Sequence, residues 1–178
     1  MTYIAILRGI NVSGQKMIKM AELKDLFTGL KCTNVRTYIQ SGNVIFESAI
    51  DAETLEKKIE KQIEKVFGFE VPVLVRSVEE MKKVLEKNPF LKDKKVDPEK
   101  LHVTFLSEVP SKENIEATNK LSFEPDQFIL AKKEVYVHCP DKYGTTKINN
   151  TFFEKKLKVT ATTRNLKTVK ELIRIGEE

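Results

Sequence analysis

The sequence predicts an α+β chain made of two halves that share the element order β-α-β-β-α-β. Two observations carry this. In the first half, β-rich runs (Tyr3 to Gly9, Val35 to Gln40, Asn43 to Phe46, Val71 to Arg76) alternate with two stretches of helical spacing. From Leu101 onward the same order recurs. It is the order of the split βαβ, or ferredoxin-like, plait. The halves share no obvious letter-by-letter identity, so the expectation of duplication rests on element order.

The elements follow in turn. Met20, Leu23, Phe27 and Leu30 repeat at helical spacing after the first strand. Ser41-Gly42 lies between the second and third strands and reads as the shortest kind of hairpin connection. Leu55, Ile59, Ile63, Val66 and Phe67 mark a long helix starting near Asp51. Ser77-Val78-Glu79-Glu80 has capping-box spacing, which predicts an extra connecting helix to about Lys87, stopped by Asn88-Pro89-Phe90. Residues 91–100 are charged and without period, and they are read as the link between the halves. The expected domains are therefore 1–90 and 91–178, free to pack as one compact unit.

The second half is expected to hold a strand over Leu101 to Leu106 and a helix over Ser111 to Leu121, with Ser111 as cap. Gln127 to Ala131 and Glu134 to His138 form a hairpin around Lys132-Lys133. A helix over Thr146 to Leu157 and a short strand over Val159 to Thr163 follow. A C-terminal amphipathic helix through Leu166, Val169, Leu172 and Ile173 closes the chain.

Composition narrows the class. With 40% hydrophobic and 32% charged residues in 178, the chain is globular. No apolar run approaches the roughly 20 residues of a membrane helix, and the N-terminus enters a strand without a signal pattern. Two cysteines, Cys32 and Cys139, stand in opposite halves and read as free thiols of a cytoplasmic protein. Residues 131–178 hold 11 Lys/Arg against 6 Asp/Glu, while residues 1–130 hold 20 of each. The net charge of +5 thus sits in the last quarter. It would attract a phosphate-bearing ligand, or it is simply a solvated lysine surface.

Topology sorts the polar residues. In a split βαβ plait the end of strand one and the hairpin between strands two and three share an edge. Arg8, Gly9 and Asn11 are thereby expected near Gln40, Ser41 and Asn43, on loops of the kind that build sites. The same residues also suit turns: glycine tolerates positive φ, and asparagine bonds local backbone. In the second half Tyr143, Gly144 and Lys147 are expected near Thr162, Thr163, Arg164 and Asn165. Lys147, Asn150 and Glu154 fall on one helical stripe. Lys147 in a first helical turn facing Arg164 would suit an anion. Against that stands capping, by Asn165 of the last helix and by Thr145 or Thr146 of the one before.

Several chemistries find no support. Residues 9–16 (GINVSGQK) have the outline of a P-loop but lack Gly-Lys-Ser/Thr. There is no Gly-x-Gly-x-x-Gly, so no cofactor is expected. His138 and Cys139 are neighbours on a strand and point to opposite faces, so no metal site is expected. No nucleophile elbow appears. Tyr3 and Phe46, at positions where RNA-binding plaits place stacking aromatics, are read as core.

Three segments carry a family resemblance: Leu7-Arg-Gly-Ile-Asn-Val12, Thr37-Tyr-Ile-Gln-Ser-Gly-Asn-Val-Ile-Phe46 and Thr162-Thr-Arg-Asn165. Asn88-Pro89-Phe90, residues 102–106 (HVTFL), Tyr143-Gly144, residues 147–150 (KINN) and 153–157 (FEKKL) support them. On these the chain resembles the bacterial domain of unknown function 1697 family. The resemblance implies a cytoplasmic α+β protein with two plait-like halves, and no assigned activity. One departure stands out: the family usually carries Trp after Thr-Arg-Asn, where this chain has Leu166.

Three functions are compatible with the sequence. The first is binding, with or without chemistry, of an anionic or phosphorylated small molecule. Arg8, Asn11, Gln40, Ser41 and Asn43 would form one wall, and Tyr143, Lys147, Asn150, Arg164 and Asn165 another. The second is a nucleic-acid-binding module using the plaits and the basic C-terminal quarter. The third is a protein-interaction module without chemistry. None involves a membrane or a metal.

Overall fold

The computed structural model describes residues 1–178. The first eight elements in order are β1 (Thr2–Leu7), α1 (Met20–Gly29), β2 (Thr33–Tyr38), β3 (Asn43–Glu47), α2 (Ala52–Phe67), β4 (Val73–Ser77), α3 (Val78–Glu86) and β5 (Leu101–Leu106). Then come α4 (Lys112–Asn119), β6 (Gln127–Ala131), β7 (Glu134–His138), α5 (Asn150–Leu157), β8 (Ala161–Asn165) and α6 (Leu166–Gly176). Short 3-10 turns occupy Pro89–Lys92, Pro98–Lys100 and Tyr143–Thr145. The chain is mixed α+β, with two four-stranded antiparallel sheets and six α-helices. It divides into two compact units, Met1–Lys83 with Glu171–Glu178, and Val84–Lys170.

The first unit's sheet has the order β2-β3-β1-β4. Alternation along β1 sends Tyr3, Ala5 and Leu7 to the face under α1 and α2, where they meet Phe27, Phe46, Leu55, Ile59 and Ile63. The other face is apolar too, with Ile4, Ile6, Ile45 and Leu74 buried. Asp51 caps α2 by accepting from the Thr54 N–H, and Gly68 closes it in left-handed conformation. The capping box of α3 forms in both directions: the Glu80 N–H donates to Ser77 Oγ, and the Ser77 N–H donates to Glu80 Oε2. α2 also finishes the free edge of β4. Its Glu60 and Glu56 carboxylates accept from the Val73 and Val75 N–H groups at 2.9 and 2.8 Å.

The second unit's sheet has the order β6-β7-β5-β8. Leu106, Val135, Val137 and Ala161 pack with Phe153 and Leu157 of α5. Tyr136 faces the other way, fully buried, and its hydroxyl donates to the Val84 carbonyl at 2.9 Å. The predicted β6–β7 hairpin is present over the expected residues, turning at Lys132-Lys133.

Several boundaries differ from expectation. The connection between β2 and β3 is not the two residues Ser41-Gly42. It takes in Ile39–Gly42, with Ile39 at φ 50° and Gly42 at φ 89°, because pairing ends at Tyr38↔Asn43. α5 starts at Asn150, not Thr146. Asn149, rather than Thr145 or Thr146, caps it by accepting from the Phe152 N–H. Thr146 is occupied otherwise, donating to Asp126 Oδ2 at 2.6 Å. Lys147 therefore lies before the helix, not in its first turn. β8 runs to Asn165 rather than Thr163 because it pairs with β5 as far as His102↔Asn165.

Candidate functional site

Residues 8–19 leave β1 as a loop with its own small hairpin. Val12 bridges Gln15, the Gln15 N–H donates to the Val12 carbonyl at 2.9 Å, and the tip residues Ser13 and Gly14 have φ of 51° and 72°. Two central residues at positive φ define a type I′ turn. The P-loop outline of residues 9–16 is thus a hairpin tip.

Asn11 organises this loop. Its Oδ1 accepts from the Ile18 N–H at 2.8 Å, and its Nδ2 donates to the carbonyls of Ile18 and Gln40 at 3.0 and 2.8 Å. One side chain thereby ties the hairpin to the β2–β3 turn. Across the gap, the Leu7 N–H donates to the Gly42 carbonyl at 2.9 Å, and Asn43 Nδ2 donates to the Tyr38 carbonyl and Ser41 Oγ, both at 3.0 Å. Arg8, Asn11, Gln40, Ser41 and Asn43 are therefore gathered at one edge of the first sheet. The amides of Asn11 and Asn43 hold its turns. Arg8 and Ser41 are half-buried, Gln40 is exposed and Asn43 is buried.

Gly42 is required there. A Cβ at this residue would lie 2.8 Å from Leu7 Cβ and 2.7 Å from Ile10 Cδ1. Seven of the chain's twelve positive-φ residues fall at this edge: Gly9, Asn11, Ser13, Gly14, Lys16, Ile39 and Gly42. Backbone of this kind collects where surrounding structure over-determines it, commonly at binding sites.

The second-unit residues divide. On the helix-covered face of the sheet, Thr104 and Thr163 are cross-strand partners whose hydroxyls meet at 2.7 Å, and Thr163 donates to Asn150 Oδ1 at 2.6 Å. At the next pair along β5, the His102 ring stacks on Tyr143, with centroids 4.2 Å apart. Burial lowers the His102 pKa below its usual value, and a backbone hydrogen bond at Lys100 partly offsets this.

Arg164 lies on the opposite face of β8 by alternation. It is 8% exposed, and one of its terminal nitrogens donates to Thr162 Oγ1 and the Thr163 carbonyl, each at 3.0 Å. Asn165 caps α6, accepting from the Thr168 N–H at 2.8 Å. Lys147 is exposed beside a cavity of about 540 Å³ shared with Asp126, Asp141 and Lys142. Tyr143 and Asn150 thus border one polar cluster, while Arg164 and Lys147 stand apart from it.

Sequence reasoning passed over Thr104 and His102. The signal was available: they alternate with Leu106 on the face of β5 that should be wholly apolar. Tyr3 and Phe46 are core residues, as expected, packed against each other at 5.9 Å. Both thiols are free and buried, and burial pushes the pKa of each up. Leu166, where the family usually has Trp, is buried at the start of α6.

No functionally curated protein matches this chain. Among solved structures it is similar to the conserved bacterial protein SP0830 from Streptococcus pneumoniae. The identity is 24%, coverage is 98% of both chains and the TM-score is 0.79, which establishes a shared fold. The family model for "Protein of unknown function (DUF1697)" matches residues 1–136. That span contains the Leu7–Val12 and Thr37–Phe46 segments at the first unit's polar edge, and on this match the chain belongs to that family.

Proposed function

We propose that this protein binds an anionic or phosphorylated small molecule at the loop edge of its first unit. Arg8 is the charge clamp, Gln40 and Ser41 fix orientation, and Asn11 and Asn43 are positioning residues that hold the backbone. The observation that carries the reading is the concentration of left-handed backbone at this edge, locked by the three Asn11 hydrogen bonds. Charge supports it: residues 8–19 contain Arg8, Lys16 and Lys19 and no carboxylate. Arg164 and Asn165 serve the fold, through Thr162 and through the α6 cap.

The same proposal takes the two units as ferredoxin-like halves that arose by duplication. Matching hydrogen bonds support it. The Leu7 N–H to Gly42 bond has its counterpart in Leu106 to Lys133, and Arg8 to Pro72 in Ser107 to Thr160. Arg76 and Arg164 each pair with the middle of the first strand of their sheet, opposite Ile4 and Val103, and each donates to the preceding carbonyl. The proposal also places the protein in the cytoplasm. No helix is long and apolar enough to cross a membrane, and two buried free thiols suit a reducing compartment.

Thermal shift against inorganic phosphate, nucleotides, sugar phosphates and short oligonucleotides tests the reading. A ligand at about 100 times its dissociation constant adds roughly 2.7 kcal/mol of stability. The melting temperature of the parent and of Lys155→Ala should rise by several degrees, and that of Arg8→Ala should not. An equal rise in Arg8→Ala would overturn the assignment. Oligonucleotides alone raising it, steeply weaker with salt, would favour a nucleic-acid module instead.

A further inference from the structure

We infer that β6 is a self-association edge, through which two copies of this chain pair antiparallel about a two-fold axis centred on Ile129. The argument starts from how the four sheet edges are finished. β2 is broken by a bulge between Thr33 and Arg36, carries Asn34 at φ 48°, and has Arg36 in an ion pair with Glu178. β4 has the N–H groups of Val73 and Val75 taken by Glu60 and Glu56. β8 carries a charged residue, Arg164, within the strand. β6 has none of these devices. Its five residues QFILA contain no charge and no proline, and its pairing with β7 is regular throughout. Exposed, regular, uncharged edges are templates for another strand.

The hairpin geometry fixes which groups β6 offers. A two-residue turn at Lys132-Lys133 makes Ala131↔Glu134 a hydrogen-bonded pair, and such pairs alternate along the ladder. Ile129 therefore bonds inward to Tyr136, while Phe128 and Leu130 direct their N–H and C=O groups away from β7. In an antiparallel pair centred on Ile129, Phe128 of one copy lies opposite Leu130 of the other. Their outward groups then form four hydrogen bonds across the axis. Shifting the register to centre on Leu130 would set Asp126 against Glu134.

Charge and shape complement each other in the centred register. One residue beyond each end of β6 stand Asp126 and Lys132, so each copy's Asp126 faces its partner's Lys132. At the axis Ile129, 38% exposed, meets its own copy. A groove of about 320 Å³ runs along the same edge, its apolar half made by Phe90, Leu121, Phe123, Phe128 and Ile129 and its other half by polar residues, Glu124 and Asp126 among them. It would receive the apolar side chains of the second strand. The result is one eight-stranded antiparallel sheet from two second-unit sheets. A strand pair this short buries less than the ~1,200 Å² of stable interfaces, so the dimer should be concentration-dependent.

Sedimentation velocity on the full chain across a concentration series, with folding checked by circular dichroism, tests this. Lys132→Glu sets like charges together at both ends and should weaken dimerisation about tenfold, and Asp126→Lys should do the same. The double variant D126K/K132E should restore it. Because Asp126 also binds Thr146, oxidation of Ile129→Cys provides an independent arm. Facing residues of a non-hydrogen-bonded pair lie about 4.5 Å apart at Cα, within disulfide range. Ile129→Cys should cross-link into a dimer, and Leu121→Cys, equally exposed at 37%, should not. A chain that stays monomeric throughout, as one serving an unrelated extended peptide would, overturns the proposal. Equal cross-linking of both cysteine variants overturns it too.

Discussion

The first unit gathers the chain's left-handed backbone, whereas the second has little of it. Ten of the twelve positive-φ residues lie within residues 1–83, and the second unit has only Lys132 and Lys158. The same step of the chain differs accordingly. Between β1 and α1 the first unit inserts the Asn11-bonded hairpin, whereas β5 reaches the Ser111 cap of α4 through residues 107–110. Both sheets nonetheless make the same bond at the strand end, to Gly42 in one and to Lys133 in the other. Two units of equal strand order can thus carry different demands. One uses the loops at its strand ends to hold a polar edge, and the other leaves an edge strand without bulge, charge or carboxylate cover.

Gly42→Ala breaks this contrast most sharply. The substitution adds a Cβ against Leu7 and Ile10 in backbone at φ 89°, and should cost about 3 kcal/mol, read by urea denaturation. The counterpart Lys133 already carries a side chain, and Lys133→Ala should be within about 0.5 kcal/mol of the parent. Equal costs would mean that the two turns are not under different constraint.

Glu56→Ala comes next. It strips the acceptor from the Val75 N–H and a carboxylate from Arg76 at 3.6 Å, and should cost about 2 kcal/mol. If it proves neutral, the β4 edge needs no carboxylate, and the distinction drawn between finished and bare edges fails.

Tyr136→Phe has the smallest effect, about 1 kcal/mol at neutral pH, through the unpaired Val84 carbonyl. It also has a signature in pH. Burial first, and then the Glu134 charge, push the Tyr136 pKa up to about 12 from 10.0. The folded chain keeps that proton after the unfolded chain has released it. This contribution is therefore whole below pH 10 and is lost as pH rises from 10 toward 12. The phenylalanine variant should lack that part of the alkaline slope. Ile45 occupies the matching place in the first sheet and has no proton to lose.

Periodicity makes most of the fold legible in the sequence. The β6–β7 hairpin, the Asp51 and Ser111 caps and the reciprocal Ser77–Glu80 box are all local patterns, decided within a few residues. The start of α5 was not legible. Thr146 looks like a helix cap, but its hydroxyl is committed to Asp126, twenty residues away. The candidate site was legible by position and not by role. Element order was enough to bring Asn11 beside Gln40, yet which amide atoms face backbone and which face solvent depends on distances no spacing encodes.

By itself the sequence determined the strand and helix order, the free thiols' separate halves and the family. All of these follow from local preference and alternation, which need only near neighbours. Tertiary structure alone decided that Arg164 turns away from Asn150, that a threonine pair lies beneath α5, and that glutamates from α2 finish one sheet edge while β6 has no such cover. Those outcomes depend on which side of a sheet a distant helix occupies, and the burial of whole faces settles that rather than any single residue's preference.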